Sequence, residues 1–230
     1  MKVDAKEFHE FIKKCSLNGR IDTCIIRGDD NGLTIKVRSG NAVAVAGQLT
    51  TIKENITLPI KSTSTLLRIL STFTDKVMME KKENVLKIYD EEREAEIVLA
   101  GEEFIENDLK EDLKFTYEGD MTVKGEMFRR ALTNRDIVRG ETMLLEVKDN
   151  IFSISTQREK SDKMVEKCKV DYKDCRNEMG QVAVDVFQIL GEEVRVAMKT
   201  DYPVKIVDAT EDMKVVYHIA PLEQKNDNSD

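Results

Sequence analysis

Apolar residues along this chain follow two rhythms, one of period two and one near 3.6, and each rhythm occurs twice. The clearest period-two stretch is Glu193 to Leu222, where Val194, Val196 and Met198 alternate, then Val204 and Ile206, then Met213, Val215 and Tyr217. Such alternation predicts strands with one buried and one wet face, here three of them separated by polar turns. Asp75 to Ala100 repeats the pattern, and LKIYD at 86–90 answers VKIVD at 204–208 at a spacing of 118 residues. The helical rhythm opens the chain. Asp4 and Glu7 form a capping-box-like start, and Phe8, Phe11, Ile12 and Cys15 follow as an apolar stripe.

The elements expected in the first half are a helix, strands over Thr23–Arg27, Leu33–Val37, Ala42–Leu49 and Ile56–Ile60, then a second helix. That helix begins at hydroxyl caps around Ser62–Ser64 and buries Leu66, Leu67, Ile69, Leu70 and Phe73. The turn Asp29-Asp30-Asn31-Gly32 has a composition suited to left-handed backbone. Three strands then complete the half near Ala100. Gly101 to Lys114 is acidic and breaks the rhythm. It reads as a surface connector, with a short amphipathic helix as the competing reading.

The second half repeats the order. An entering strand is expected over Phe115–Val123 and a helix over Glu126–Asn134 that buries Phe128, Ala131 and Leu132. Phe8 and Phe128 are 120 residues apart, and Asp30 to Ile35 is answered at 119 by Asp149 to Ile154. Further strands are expected at 162–170 and 181–184, followed by a last helix little over one turn long that stops at Gly191. Residues 223–230 are polar and expected to be disordered. The prediction is an α+β fold of two tandem pseudo-repeats, 1–100 and 115–222, joined by the connector 101–114, each with two helices on one face of a curved antiparallel sheet.

Composition changes the picture in three ways. At 230 residues the chain can bury a sizeable core as one large or two small domains. A net charge of −8 excludes simple adhesion to nucleic acid, so any DNA contact must come from a locally basic face. Four cysteines without CxxC spacing and two histidines argue against zinc and for reduced intracellular thiols. No apolar run reaches the length of a membrane span, and MKVDAKEF lacks a signal-peptide core, so no membrane partner is expected.

Four short motifs carry a resemblance: AKEF at 5–8, the DNG turn at 30–32, GEMF at 125–128 and IAPLE at 219–223. With the two-unit periodicity they are similar to the DNA sliding clamps, the proliferating cell nuclear antigen family of archaeal type. Only three residues precede Asp4, so the family's first strand is expected to be cut short, as in shorter phage clamps. The resemblance implies a homotrimeric ring of six pseudo-equivalent domains around double-stranded DNA, which it contacts without sequence specificity. It implies a processivity factor that tethers DNA polymerase and other clients. It places the protein in the cytoplasm of a prokaryotic or virus-infected host, or in the nucleus of a eukaryote. No GxxxxGK[ST] loop is present, so an external ATP-dependent clamp loader is implied.

Three groups of residues would carry that function. Lys6, Lys13, Lys14, Arg20, Arg68, Arg129 and Arg130 lie on or beside helices, where they either attract phosphates or form ordinary wet faces. Lys6 and Lys13 fall opposite the first apolar stripe, with Lys14 flanking; the last helix contributes no Lys or Arg between Gln181 and Glu193. Glu92, Glu94 and Glu96 share one parity in a strand of the first unit, and Lys163, Lys167 and Lys169 share one in the second. These rows either face solvent or meet across a subunit interface, helped by Ile97 and Val165, since exposed ion pairs contribute only about 0–1 kcal/mol each. A partner-peptide pocket, carried over by position from the family, would involve Ala42, Val43, Phe104, Ile105, Pro203, His218, Ala220 and Pro221. His218 stands where the family often has an aromatic or apolar residue; Pro203 and Pro221 are equally explained as strand-end punctuation.

Two rival readings remain. The acidic pairs Asp29-Asp30, Glu91-Glu92 and Glu102-Glu103 lie in turns or the connector without a partnered His or metal-like spacing, so neither catalysis nor a cofactor is expected. A scaffold that keeps the fold and binds client peptides without closing a ring is the alternative. The short first strand and short last helix motivate it.

Overall fold

The computed structural model describes residues 1–111, 113–158 and 162–222, with Gln181 and Val182 described by their backbone. The predicted tail at 223–230 lies outside the described residues. The chain divides into two compact units: Met1–Lys114 together with Val207–Tyr217, and Phe115–Ile206 together with the residues after Tyr217.

In unit 1, β1 (Lys2–Asp4) leads into helix α1 (Ala5–Cys15). The Asp4 carboxylate accepts the amides of Lys6 and Glu7 and so caps the helix. Phe8, Phe11, Ile12 and Cys15 are fully buried, as their spacing requires. Strands β2 (Cys24–Asp29), β3 (Gly32–Ser39), β4 (Val43–Leu49) and β5 (Ile56–Ile60) form an antiparallel array in the order β5-β2-β3-β4. Helix α2 (Thr63–Leu70) is capped by the Ser62 hydroxyl and packs beside α1. Gly47 is where α1 meets the sheet: a Cβ there would sit 2.2 Å from Cys15 Sγ. Strands β6 (Lys76–Lys82), β7 (Val85–Tyr89) and β8 (Glu94–Val98) make a second sheet, ordered β1-β6-β7-β8. The short first strand therefore pairs fully, Val3 opposite Val77.

After β8 the described residues of the connector make a single 3-10 turn, Glu102–Phe104, and no α-helix, which removes the amphipathic-helix alternative there. It is fastened to unit 1. Both oxygens of Asp108 accept from Arg27, each at 2.8 Å, while Arg38 N donates to Asn107 O and Leu109 N to Lys36 O. The Asp108 bond is also the main reason the Arg27 pKa is raised.

Unit 2 repeats the plan. Strand β9 (Met121–Lys124) is shorter than expected, because Phe115 to Asp120 is not strand. Helix α3 (Gly125–Val138) buries Phe128, Ala131 and Leu132 and runs four residues past the expected end. Strands β10 (Met143–Lys148), β11 (Ile151–Gln157), β12 (Lys163–Lys169) and β13 (Cys175–Met179) form an antiparallel sheet ordered β12-β11-β10-β13.

Helix α4 (Gln181–Ile189) corrects two expectations: 181–184 is helix and not strand, and the helix has nine residues, more than two turns. The run Val-Ala-Val mimics strand alternation, yet Val186 and Phe187 extend the same buried face with Ala183. α4 packs against α3, with the Phe128 and Phe187 ring centroids 4.7 Å apart. Strands β14 (Glu193–Ala197), β15 (Val204–Ala209) and β16 (Met213–Ile219) close the chain, with β14 antiparallel to β9. Residues 207–217 of β15 and β16 group with unit 1, where β16 lies beside β4.

Candidate functional site

The first candidate surface is the helix pair of each unit. In unit 1, Lys6, Arg20 and Arg68 are exposed, and Lys13 is half-exposed with Nζ 3.4 Å from Glu10. Lys14 is a correction. It is buried, and its Nζ donates to Asp208 Oδ2 at 2.7 Å, so it faces the packed side of α1 and not any ligand. Its place three residues after Phe11 puts it on the edge of the apolar stripe, the one signal that could have revealed this.

In unit 2, Arg129 and Arg130 are exposed but engaged. Arg129 donates to the carbonyl of Leu190 at 2.7 Å, tying α3 to the end of α4. Arg130 Nε lies 3.3 Å from Glu166 Oε2, and the same carboxylate accepts from Asn134. Neither fastening partner was identified from the sequence, since each lies dozens of residues away.

The second candidate surface is formed by two strand edges. β8 and β12 are each outermost in their sheets. On β12, Lys163, Val165, Lys167 and Lys169 lie on the exposed face, while Glu166 turns toward α3. On β8 the exposed face carries Glu94, Glu96 and Val98. Two corrections follow. Glu92 lies outside the strand, in a turn where its amide donates to Asp90 Oδ1. Ile97 points into the sheet's packed face and is buried, so the exposed apolar residue of this edge is Val98, 58% accessible. Glu94 also lies 2.7 Å from Lys87 Nζ on the neighbouring strand.

The residues of the third candidate surface fall in both units. In unit 1, Phe104 is 72% exposed, Ile105 and Val43 are buried and Ala42 is half-buried. Phe104 and Ile105 line a cavity of about 340 Å³ with Val98, Leu99 and Ala100; Ala42 and Val43 are not part of its wall. In unit 2, Pro203, His218, Ala220 and Pro221 are half-buried. His218 packs against Phe115 in a tilted arrangement with centroids 5.1 Å apart, Phe115 meets Tyr202 edge-on at 5.4 Å, and Tyr202 meets Tyr117 at 5.6 Å. The Tyr117 hydroxyl donates to the Pro203 carbonyl at 2.8 Å. This aromatic cluster explains why Phe115 and Tyr117 mimic strand alternation: they pack as side chains and not in a ladder. Burial, reinforced by the charge of Lys205, lowers the His218 pKa to about 4, so this imidazole is neutral at physiological pH.

Two units, each with a helix pair and strands in the repeated order above, define the fold of the DNA sliding clamps. Solved structures bear this out at the level of fold. The chain superposes on proliferating cell nuclear antigen from Entamoeba histolytica with a TM-score of 0.80, 14% identity and coverage of 96% of this chain and 97% of that one. For A. fulgidus PCNA, solved with the C-terminal region of FEN-1, the TM-score is 0.82 at 15% identity, covering 96% of each chain. The PCNA2–PCNA3 complex from Sulfolobus tokodaii gives 0.78 at 12% identity, covering 96% and 99%. No protein-family model and no curated protein matches the sequence.

Proposed function

We propose that the protein is a DNA sliding clamp, a processivity factor whose copies close into a homotrimeric ring around duplex DNA and tether polymerase and other clients. The observation that carries this reading is the likeness to clamp structures over 96% of the chain, both repeats included. One of those clamps was solved bound to a segment of FEN-1 and another as a complex of two clamp chains. By analogy, this chain would take up short hydrophobic client peptides and join copies of itself.

In this reading Lys6, Lys13, Arg20 and Arg68 draw phosphates by long-range attraction, with Arg129 and Arg130 dividing their charge between DNA and their intramolecular partners. Phe104, Ile105, Pro203, His218, Ala220 and Pro221 belong to client docking. An ATP-dependent loader opens the ring, and the protein works wherever the host keeps its DNA, without catalysis of its own. Among the described residues no helix is long and apolar enough to cross a membrane. The non-encircling scaffold loses both of its motives, since β1 is paired and α4 exceeds two turns.

The test is mass and processivity together. In solution the particle should sediment at three times the 26.3 kDa chain mass. Lys6→Glu with Arg68→Glu should leave that mass unchanged and shorten polymerase products at moderate salt. Unchanged product length would count against the DNA role, and a stable monomer against the ring.

A further inference from the structure

The strands β5-β2-β3-β4 of unit 1 and β13-β10-β11-β12 of unit 2 hold equivalent places in the two repeats and correspond at a constant shift of 119 residues. Ile26 opposite Ile35 becomes Leu145 opposite Ile154, and Thr34 opposite Gln48 becomes Ser153 opposite Lys167. Under that shift Ile26, Leu33 and Ile35 stay apolar and buried as Leu145, Phe152 and Ile154. The outward positions do not keep their charge. Asp29, Gln48, Thr50 and Thr57 become Lys148, Lys167, Lys169 and Arg176, so one acid and three neutral residues give way to four cations in a chain of net charge −8.

The ladder sets these four in two adjacent rows. Lys169, Ile151 and Lys148 lie side by side across β12, β11 and β10, and Lys167, Ser153, Glu146 and Arg176 across all four strands. Neighbouring strands are about 4.8 Å apart, and successive rows on one face about 7 Å. All four cations are exposed, and among the described residues none of them forms an ion pair. Ile151, 40% accessible, stands between Lys169 and Lys148, so the charges flank an apolar point. β10 and β13 lie two and three strands in from the β12 edge, so Lys148 and Arg176 belong to the face, whatever meets that edge.

Unit 1 shows what such a sheet holds. Arg27 donates to both oxygens of Asp108 and lies 4.0 Å from Glu102, and the backbone of Lys36 and Arg38 binds residues 107–109. The segment so held mixes acids with apolar side chains: Glu102-Glu103-Phe104-Ile105-Glu106-Asn107-Asp108-Leu109. In unit 2 no acidic segment is fastened to Lys148 or Arg176 among the described residues. We propose that the outward face of β10, β11 and β13 docks an extended acidic and apolar segment of a partner protein. Its carboxylates meet Lys148 and Arg176, Lys167 and Lys169 add to the attracting field, and Ile151 takes an apolar side chain. Side chains on one side of an extended segment recur about every 7 Å, the spacing of the two rows. A protein segment suits the face better than nucleic acid does. Glu146 sits within the patch and repels a phosphate chain there, whereas a segment can set an amide or apolar side chain against it. The docking needs neither ring closure nor DNA, and so it is independent of the clamp reading.

The probe is a fluorescently labelled peptide with the sequence of residues 102–109, EEFIENDL, titrated with the full-length protein and followed by anisotropy. It should bind saturably at low salt and be released as salt is raised, because the attraction is between exposed charges. Lys148→Glu with Arg176→Glu should weaken it about tenfold or more, and Lys148→Gln with Arg176→Gln by less. Lys76→Glu, a change at an exposed cation of unit 1, should leave it unchanged. Melting temperatures matching the parent's show that the variants are folded, and the Gln pair keeps the test open if the Glu pair melts early. No saturable binding to the parent protein, or binding that survives both double substitutions, would overturn the proposal. So would equal binding of the amide peptide QQFIQNNL. A labelled DNA duplex that competes with the acidic peptide, binds more tightly than it and is lost in the same variants would assign the face to nucleic acid instead.

Discussion

The turn between β2 and β3 and the turn between β10 and β11 occupy equivalent places in the repeat, yet they use different backbones. In unit 1, Gly32 takes a φ of +128°, and its missing Cβ leaves room for the Leu49 carbonyl oxygen, which a Cβ would meet at 2.2 Å. In unit 2, Asp149 and Asn150 take the left-handed conformation instead, at φ +52° and +60°. The first helices differ in the same manner. α1 is capped by Asp4 and fastened inward by Lys14; α3 has no side-chain cap at Lys124 and is fastened through Arg129 and Arg130. The two units hold the apolar pattern in common and differ in the polar fastenings. Those fastenings decide which cations stay available to a ligand.

The comparison breaks first if the fastenings prove equivalent. Lys14→Met should cost about 3–5 kcal/mol, because it removes the charged donor to the buried Asp208 carboxylate, whereas Lys13→Met should stay within about 0.5 kcal/mol. Urea denaturation of the pair measures this, and equal losses would refute the inward fastening of α1. Next comes Arg129→Ala, expected to cost about 1–2 kcal/mol through the lost bond to the Leu190 carbonyl, against less than about 0.5 kcal/mol for Arg68→Ala. Thermal melts showing no difference would make Arg129 an ordinary surface cation. Capping gives a smaller contrast: Asp4→Ala should cost about 1 kcal/mol and Lys124→Ala less than about 0.5 kcal/mol.

The smallest effect at neutral pH concerns the aromatic cluster of unit 2. His218 has a folded pKa of about 4 against an ordinary 6.5, so its contribution is complete above 6.5. As the pH falls from 6.5 toward 4, the unfolded chain takes up the proton first and stability declines. His218→Phe should flatten that part of the melting-temperature profile; an unaltered slope between pH 7 and 4 would place the titration elsewhere.

The fold was legible wherever burial alone sets the pattern. Phe8, Phe11, Ile12 and Cys15 had to share a helix face, and Val194 with Val196 a strand face, because each apolar side chain must leave water. Local polar partners such as the Asp4 and Ser62 caps were readable, but where a polar group chose a partner far along the chain, the sequence was silent. Lys14 finds Asp208 across 194 residues, and no local rule pairs them. Short apolar runs were ambiguous for a different reason: 181–184 alternates like a strand, and only Val186 and Phe187 extend its buried face into a helix. Parity was readable for the lysines of β12 and for Glu94 and Glu96 of β8, while Ile97 lies on the buried parity and Val98 on the open one.

The membership of Val207–Tyr217 in unit 1 has a consequence for biosynthesis. A nascent chain that has emerged through Lys114 still lacks the strand that lies beside β4, and it must wait for nearly the whole protein before that gap is filled. The amino-terminal half is thus expected to mature last, guarded meanwhile by whatever shields an unfinished sheet edge at the ribosome. A fragment ending at Lys114 should be protease-sensitive and regain resistance when the 207–217 hairpin is supplied.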